Sequence, residues 1–247
     1  MLARISITAS ALLASLVLVG CADPTGSNAD SDNWGPSGKG DETGVNLRYR
    51  SYDVMFTNPL CRDYTYAAPM PTADGSTTLT QKPKNVYCTS DDAAASAARP
   101  SSPQNKLLEW VRPLAAGDEI FLAYLSFSNR VVGEELCQAA QRGAKVTFVL
   151  DKTSEQSDKI KACGATVLLR GNVGSIGYAH NKVVLINPHG AGASDDNTEF
   201  MRMSFSSGNM SSGVVTHHEN WHFIEAARDG YFAQAHRCMM DAQLDQQ

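Results

Sequence analysis

From residue 102 onward the apolar positions switch between two periods, and the switching lays out a succession of helices and strands. Ser102-Pro103 is a helix start, with a hydroxyl at the N-cap and a ring that lacks an N–H at the first helical position. Leu107, Leu108, Val111 and Leu114 then recur at helical spacing until Gly117. Ile120 to Leu125 reads as a strand, Arg130 to Gln141 as a helix closed by Gly143, and Lys145 to Leu150 as a second strand. Ser154 to Cys163 reads as a helix closed by Gly164, and Ala165 to Leu169 as a third strand. Strands alternating with helices of about a dozen residues predict an α/β sandwich with a largely parallel sheet. The loop from Gly171 to Gly177 leads to an apolar run, Val183 to Ile186, that reads as a buried strand. Pro188 to Asn197 is rich in Gly, Ala and Asp and reads as a surface excursion. Met201 to Phe205 and Asn220 to Ile224 are two further strands, and Ala227 to Met240 is a closing helix.

The first residues have a different character. Arg4 lies in a short basic region, Ala11 to Val19 is apolar, and Leu18-Val19-Gly20-Cys21 follows. This resembles a bacterial lipoprotein signal. The apolar run is shorter than the ~20 residues of a membrane-spanning helix, which favours a cleaved segment. The resemblance implies a signal peptide over 1–20 and lipidation at Cys21. The acyl chains would anchor the protein to a bacterial membrane of the cell envelope, facing periplasm or exterior, at ~0.8 kcal/mol per buried methylene. Residues 21–45 are rich in Gly, Ser, Asp, Asn, Thr and Pro, with a single Trp34, and read as a flexible tether. Residues 46–247 are long enough for one domain with its own core.

The formal net charge is −5, and the Lys and Arg residues are scattered. That argues against a broad nucleic-acid surface, which needs clustered cations, though a narrow cleft can still be positive. Outside the cytoplasm disulfides persist. Cys61 and Cys88 flank a Pro- and Thr-rich segment and are the first candidates for a bridge. Cys137 and Cys163, on successive helices, are a second pair or else small buried hydrophobes, and Cys238 is left over.

His180-Asn181-Lys182 carries the chemistry. A His and a Lys two residues apart on a strand share a face, so a nucleophile and a phosphate-binding cation would stand side by side on a rigid element. A lone His-x-Lys is more often part of a core. Here Ser206-Ser207-Gly208-Asn209 and Glu219 follow in order after the strand. The set resembles the phospholipase D superfamily, marked by His-x-Lys-x4-Asp, then Gly-Ser-x-Asn, then an acid in its single-motif members. His180, Lys182, Ser207, Asn209 and Glu219 match. Asn187 replaces the Asp and Ser206 the first Gly. Asn187 lies an odd number of residues from His180, so it would face away and anchor neighbouring backbone.

The resemblance implies a phospholipase D-like α/β/α sandwich and a hydrolase that cleaves phosphodiesters without cofactor or metal. One motif histidine attacks phosphorus to form a phosphohistidine, while a second protonates the departing oxygen and later activates water. Lys, Asn and Ser hold the non-bridging oxygens, and the acid holds an imidazole nitrogen. Of the histidines, His180, His189, His217, His218, His222 and His236, only His180 has a Lys two residues on. Either two chains pair about a twofold axis and each supplies His180, or His217 or His218 serves as the acid, or the site is silent. The homodimer is the simplest expectation, since isologous dimers are the commonest oligomers.

A competing pattern is His218-Glu219-Asn220-Trp221-His222, the His-Glu-x-x-His of zinc proteases, which needs a helix. The aromatic and β-branched content of Asn220 to Ile224 favours a strand. There the imidazoles stand about 13 Å apart, too far to share an ion. The expectation is therefore a lipid-anchored phosphodiesterase acting on phospholipids. The alternatives are an endonuclease of the same chemistry and an inactive binding lipoprotein.

Overall fold

The computed structural model describes residues 48–58, 70–71, 77–78, 86–88, 93–171, 177–211 and 213–245. Cys21, the tether and the Cys61–Cys88 pairing lie outside them. The chain forms β1 (Tyr49–Asn58), β2 (Met70–Pro71), β3 (Thr77–Thr78), β4 (Val86–Cys88), α1 (Ala93–Ala97), α2 (Pro103–Val111), β5 (Glu119–Tyr124) and α3 (Arg130–Gln141). It continues through β6 (Lys145–Leu150), α4 (Glu155–Ala162), β7 (Thr166–Leu169), β8 (Lys182–Ile186), β9 (Phe200–Ser206), α5 (Gly213–Thr216), β10 (Asn220–Ala227) and α6 (Tyr231–Asp245). The local signals act where they stand. Ser102 Oγ accepts from Asn105 N–H, Asn129 caps α3 through Val132 N–H, and Ser154 and Ser157 close a capping box on α4.

An eight-stranded sheet runs in the order β4-β1-β10-β9-β8-β5-β6-β7, while β2 and β3 pair with each other. β5 and β8 are buried along nearly their whole length, as strands covered on both faces must be. Ile120 and Leu122 of β5 and Val184 and Ile186 of β8 turn to one face. There they meet Leu107 and Val111 of α2, Leu136 of α3 and Ile160 of α4. The alternate residues Phe121, Ala123, Val183 and Leu185 turn to the other face and pack with Ala233 and Met240 of α6. The fold is thus an α/β/α sandwich.

The expected largely parallel sheet is corrected. β5–β6, β6–β7 and β1–β4 are parallel, but β1–β10, β10–β9, β9–β8 and β8–β5 are antiparallel. Parallel neighbours need a crossover, and α3 and α4 supply it only from β5 to β7. From β8 to β10 no long helix intervenes, and each strand reverses on the last. β1 has no counterpart among the expected strands, because its own pattern is mostly exposed and its partner β10 lies far along the chain.

Cys137 on α3 and Cys163 at the C-cap of α4 form a disulfide, with Cα atoms 5.3 Å apart. Cys238 is not left over, since it too is disulfide-bonded, in a pairing outside the described residues. Spacing in the sequence does not fix connectivity.

His189, after β8, joins the start of β5 to α6. Its Nδ1 is 2.7 Å from Glu119 Oε2 and its Nε2 is 3.2 Å from Asp241 Oδ1. Burial opposes the imidazolium, but hydrogen bonds and charge from Glu119 and Asp241 outweigh it and raise the His189 pKa. A raised histidine pKa stabilises the fold fully below the unfolded value, near pH 6.5, and this is lost as pH rises through the folded value. His189→Gln should therefore lower the urea midpoint at pH about 5.5 more than at pH about 8.5. An equal loss at both pH values would show that the charge on His189 contributes nothing.

Candidate active site

The residues of the motif gather at one edge of the sheet, where β5 and β6 end, β8 begins, β9 ends and β10 begins. Leu125 N–H donates to Asn181 O at 3.2 Å, Tyr124 is in register with Lys182, and Ser206 with Trp221. His180 is not on the strand, as the sequence pattern had it. β8 starts at Lys182, and His180 is the exposed residue just ahead of it. Two contacts fix the approach to His180. Ala179 N–H donates to Asp151 Oδ1 at 2.9 Å, and Gly171, at φ 83°, lies so close that a Cβ would stand 2.4 Å from Ala179 N. Only a glycine fits there.

Lys182 is buried, with Nζ 2.9 Å from His180 Nδ1, 3.2 Å from Nε2 and 3.1 Å from His180 O. Burial pulls the Lys182 pKa below its usual value, and the charge of Glu219 partly opposes the shift. Lys182 and Glu219 thus share one electrostatic site.

Glu219 is held on several sides. Its Oε2 accepts a short hydrogen bond from Ser207 Oγ, whose own oxygen accepts from Asn220 N–H at 3.0 Å. Its Oε1 lies 3.5 Å from His217 Nδ1. Gly208 leaves the space, because a Cβ there would sit 2.8 Å from Glu219 Cγ and Cδ. Ser206, in the place of the motif's first glycine, closes the turn by donating Oγ to Gly208 O at 2.8 Å. Asn209 accepts from Ser126 N–H at 3.3 Å through Oδ1, which leaves its amide NH2 as the donor it can offer.

Nothing in the local sequence marks Thr57. This buried residue of β1 donates Oγ1 to His217 O at 2.8 Å and accepts from Glu219 N–H at 3.0 Å. Its N–H donates to Glu219 O at 2.9 Å. The partners lie more than 150 residues apart in the chain, and a threonine in a half-exposed strand carries no mark of such a role.

Asn187 stands at the far end of β8, roughly 17 Å from Lys182 by the usual strand rise. It is buried, adopts φ 52°, accepts from Glu119 N–H at 2.7 Å and donates Nδ2 to Asp118 Oδ1 at 3.0 Å. Burial works against the Asp118 charge, yet hydrogen bonds from Ser194, Ala115 and Asn187 more than compensate and hold its pKa below the usual carboxylate range. An aspartate at 187 would face that ionised carboxylate. The His-Glu-x-x-His segment is no helix: His222 is on β10, stacked on Phe205 at 4.4 Å and paired with Tyr52 OH at 3.0 Å, while His218 precedes the strand. Among the described residues no group of His, Cys, Asp and Glu side chains is placed to hold a metal ion.

No protein-family model and no curated protein matches the sequence. The structure is similar to several solved structures. One is the phospholipase D family member Nuc of Salmonella typhimurium, at 17% identity over 60% of this chain and 91% of that one, with a TM-score of 0.47. Another is NucT of Helicobacter pylori, at 16% identity over 57% and 86% of the two chains, with a TM-score of 0.45. Polyphosphate kinase of Porphyromonas gingivalis is similar at 17% identity over 57% of this chain and 24% of that one, with a TM-score of 0.43.

Asn187→Asp should destabilise the protein by about 1–3 kcal/mol at neutral pH, the cost of an unmet buried contact, because it exchanges a hydrogen bond to Asp118 for repulsion. Protonation of either carboxylate relieves the repulsion, so the loss should shrink as pH falls below about 4. Urea unfolding at both pH values reads it, and an unchanged midpoint would contradict the arrangement.

Proposed function

We propose that this protein is a phosphodiesterase that works through a phosphohistidine on His180, and that its substrates are the head-group diesters of phospholipids at a membrane surface. The observation that carries the reading is the buried Lys182 ammonium 2.9 Å from the His180 ring, with Glu219 and Ser207 beside it. A cation withdrawn from water attracts a phosphate more strongly than one on an open surface. When the diester arrives, Lys182 turns from the ring to a non-bridging oxygen. That frees an imidazole nitrogen to attack phosphorus in line with the departing alcohol. Asn209 donates to the other non-bridging oxygen, where negative charge grows in the transition state. Water then attacks the phosphohistidine and restores the imidazole. Water apart, every group in this scheme comes from the protein.

The lipid reading rests on the surroundings. Leu169 at the end of β7 and Tyr178 just ahead of His180 are 53% and 75% exposed, apolar groups suited to contact with a bilayer. The chain is acidic, at −5, which gives little attraction for a polyanion. Lipidation at Cys21 would hold the domain at the membrane of the cell envelope on a tether of about twenty residues, with an r.m.s. reach of roughly 25 Å.

His180→Ala and His180→Asn should remove turnover while leaving the unfolding midpoint unchanged, and an alkaline quench should trap phosphate on the wild-type imidazole. Dialysis against EDTA should leave turnover as it was. Residual activity above a few per cent in His180→Ala would overturn the nucleophile.

Turnover of phospholipid vesicles should exceed that of DNA, and the lipidated form should outpace a chain lacking Cys21 on vesicles alone. Ready cleavage of DNA with vesicles untouched would replace the phospholipase reading by the endonuclease one. Inactivity on both would leave a binding lipoprotein.

A further inference from the structure

Departure of an alcohol from phosphorus needs a proton, and the chain has no second His-x-Lys to supply a histidine for it. Five other histidines remain, and the structure separates them. His222 lies on the α6 side of the sheet, stacked on Phe205 and paired with Tyr52. His236 Nδ1 donates to Phe232 O at 2.8 Å within α6. His189 is tied to Glu119 and Asp241 near the far end of β8. His218 points out ahead of β10.

His217 differs from these. Its N–H donates to Gly213 O at 2.9 Å, and its ring lies against Gly213, where a Cβ would come within 2.7 Å of Nδ1. Its carbonyl accepts from Thr57, the residue that also holds the Glu219 backbone. Nδ1 faces the Glu219 carboxylate at 3.5 Å, and the side chain as a whole is 65% exposed. A carboxylate behind one ring nitrogen fixes the tautomer and leaves the other nitrogen to exchange a proton. The same Glu219 acts on Lys182, which touches His180.

We propose that His217 is the proton donor to the leaving oxygen, so that a single chain carries both imidazoles of the site. The inference rests on the phosphodiesterase reading above. In the first step a His180 nitrogen forms the N–P bond, and the P–O bond to the alcohol breaks with its electron pair on oxygen. That oxygen takes the proton from His217 Nε2. In the second step neutral His217 takes a proton from water as its oxygen bonds to phosphorus, and the N–P pair returns to His180. The acid is thereby restored, and no other reactant is consumed.

The test compares leaving groups. Full-length wild type, His217→Gln and His180→Asn are assayed on bis(p-nitrophenyl) phosphate, whose phenolate leaves without a proton. They are also assayed on diesters with alkyl leaving groups, phosphatidylglycerol vesicles and single-stranded DNA. His217→Gln should lose ~10²–10⁴-fold on the alkyl diester that wild type cleaves, and less than about tenfold on the nitrophenyl diester. His180→Asn should lose both.

Mixing the two variants should restore nothing. Equal losses on both substrates would reduce His217 to a structural part, and an unaffected His217→Gln would return the acid to a twofold partner's His180; either result overturns the proposal while leaving the phosphodiesterase reading intact. Activity regained on mixing would place the two imidazoles on different chains and overturn the single-chain site. A wild type inactive on all substrates would overturn both readings.

Discussion

A carboxylate largely withdrawn from water must be met by donors, and Glu219 collects them from across the sheet. Ser207 reaches it from the end of β9, His217 from the segment before β10, and the Lys182 charge acts on it from the start of β8. Thr57 of β1 fixes the backbone on either side. Lys182, Ser207 and Thr57 lie at or next to strand ends, so their positions follow from the register of the sheet. Loss of the Glu219 charge would leave Lys182 buried without its counter-charge, and would free His217 and Ser207 at once. The arrangement therefore stands or falls as a unit, and energies from single substitutions within it will not add.

The opposite edge is locked by charge as well, with other consequences. Asp195, whose side chain is 4% exposed, pairs with Arg202 at 3.2 Å and Arg228 at 2.6 Å, and Arg228 also donates to Asn187 O. Burial pulls the Arg228 pKa down, against the pull of Asp195, and the guanidinium stays charged because its ordinary value is so high. A buried pair of this kind gains little over an apolar one but costs several kcal/mol if one partner is removed, typically about 3–5. It pins the segment between β8 and β9 to the sheet at both its ends. That segment read as a surface excursion because its Gly, Ala and Asp content is that of a loop; its anchors, Asp118 and Arg228, lie far away in the chain.

The sequence spoke clearly wherever the determinant was local. α3 and β6 match their expected bounds, and α4 begins at its Ser154 cap, because capping hydroxyls, terminal glycines and unbroken apolar runs each act within a turn or two. It was silent wherever two distant segments decide the outcome. β1 is a strand because β10 offers it an edge, Thr57 matters because Glu219 lies across that edge, and Cys238 is bonded to a partner that spacing could not name. His180 fell between these cases. Its identity and its nearness to Lys182 were legible, but its place two residues ahead of the strand depends on Asp151 and Gly171.

The direction of the strands was in fact encoded in the order of the motif. His180 and Lys182 precede an apolar run, Ser207 and Asn209 follow one, and Glu219 precedes the next. Side chains at the start of one strand and the end of another can meet only if those strands run in opposite directions. In parallel strands of six or seven residues they would lie roughly 20 Å apart. A site assembled from these residues therefore requires β8, β9 and β10 to alternate, as they do. Helix-and-strand alternation argued for parallel pairing, and it governs β5 to β7, where α3 and α4 make the crossovers. The two halves meet at the antiparallel β5–β8 pair, so the carboxyl ends of the parallel strands open onto the edge that carries Lys182. In α/β sheets ligands bind outside the carboxyl ends of the parallel strands, and here the antiparallel half brings its motif residues to that same edge.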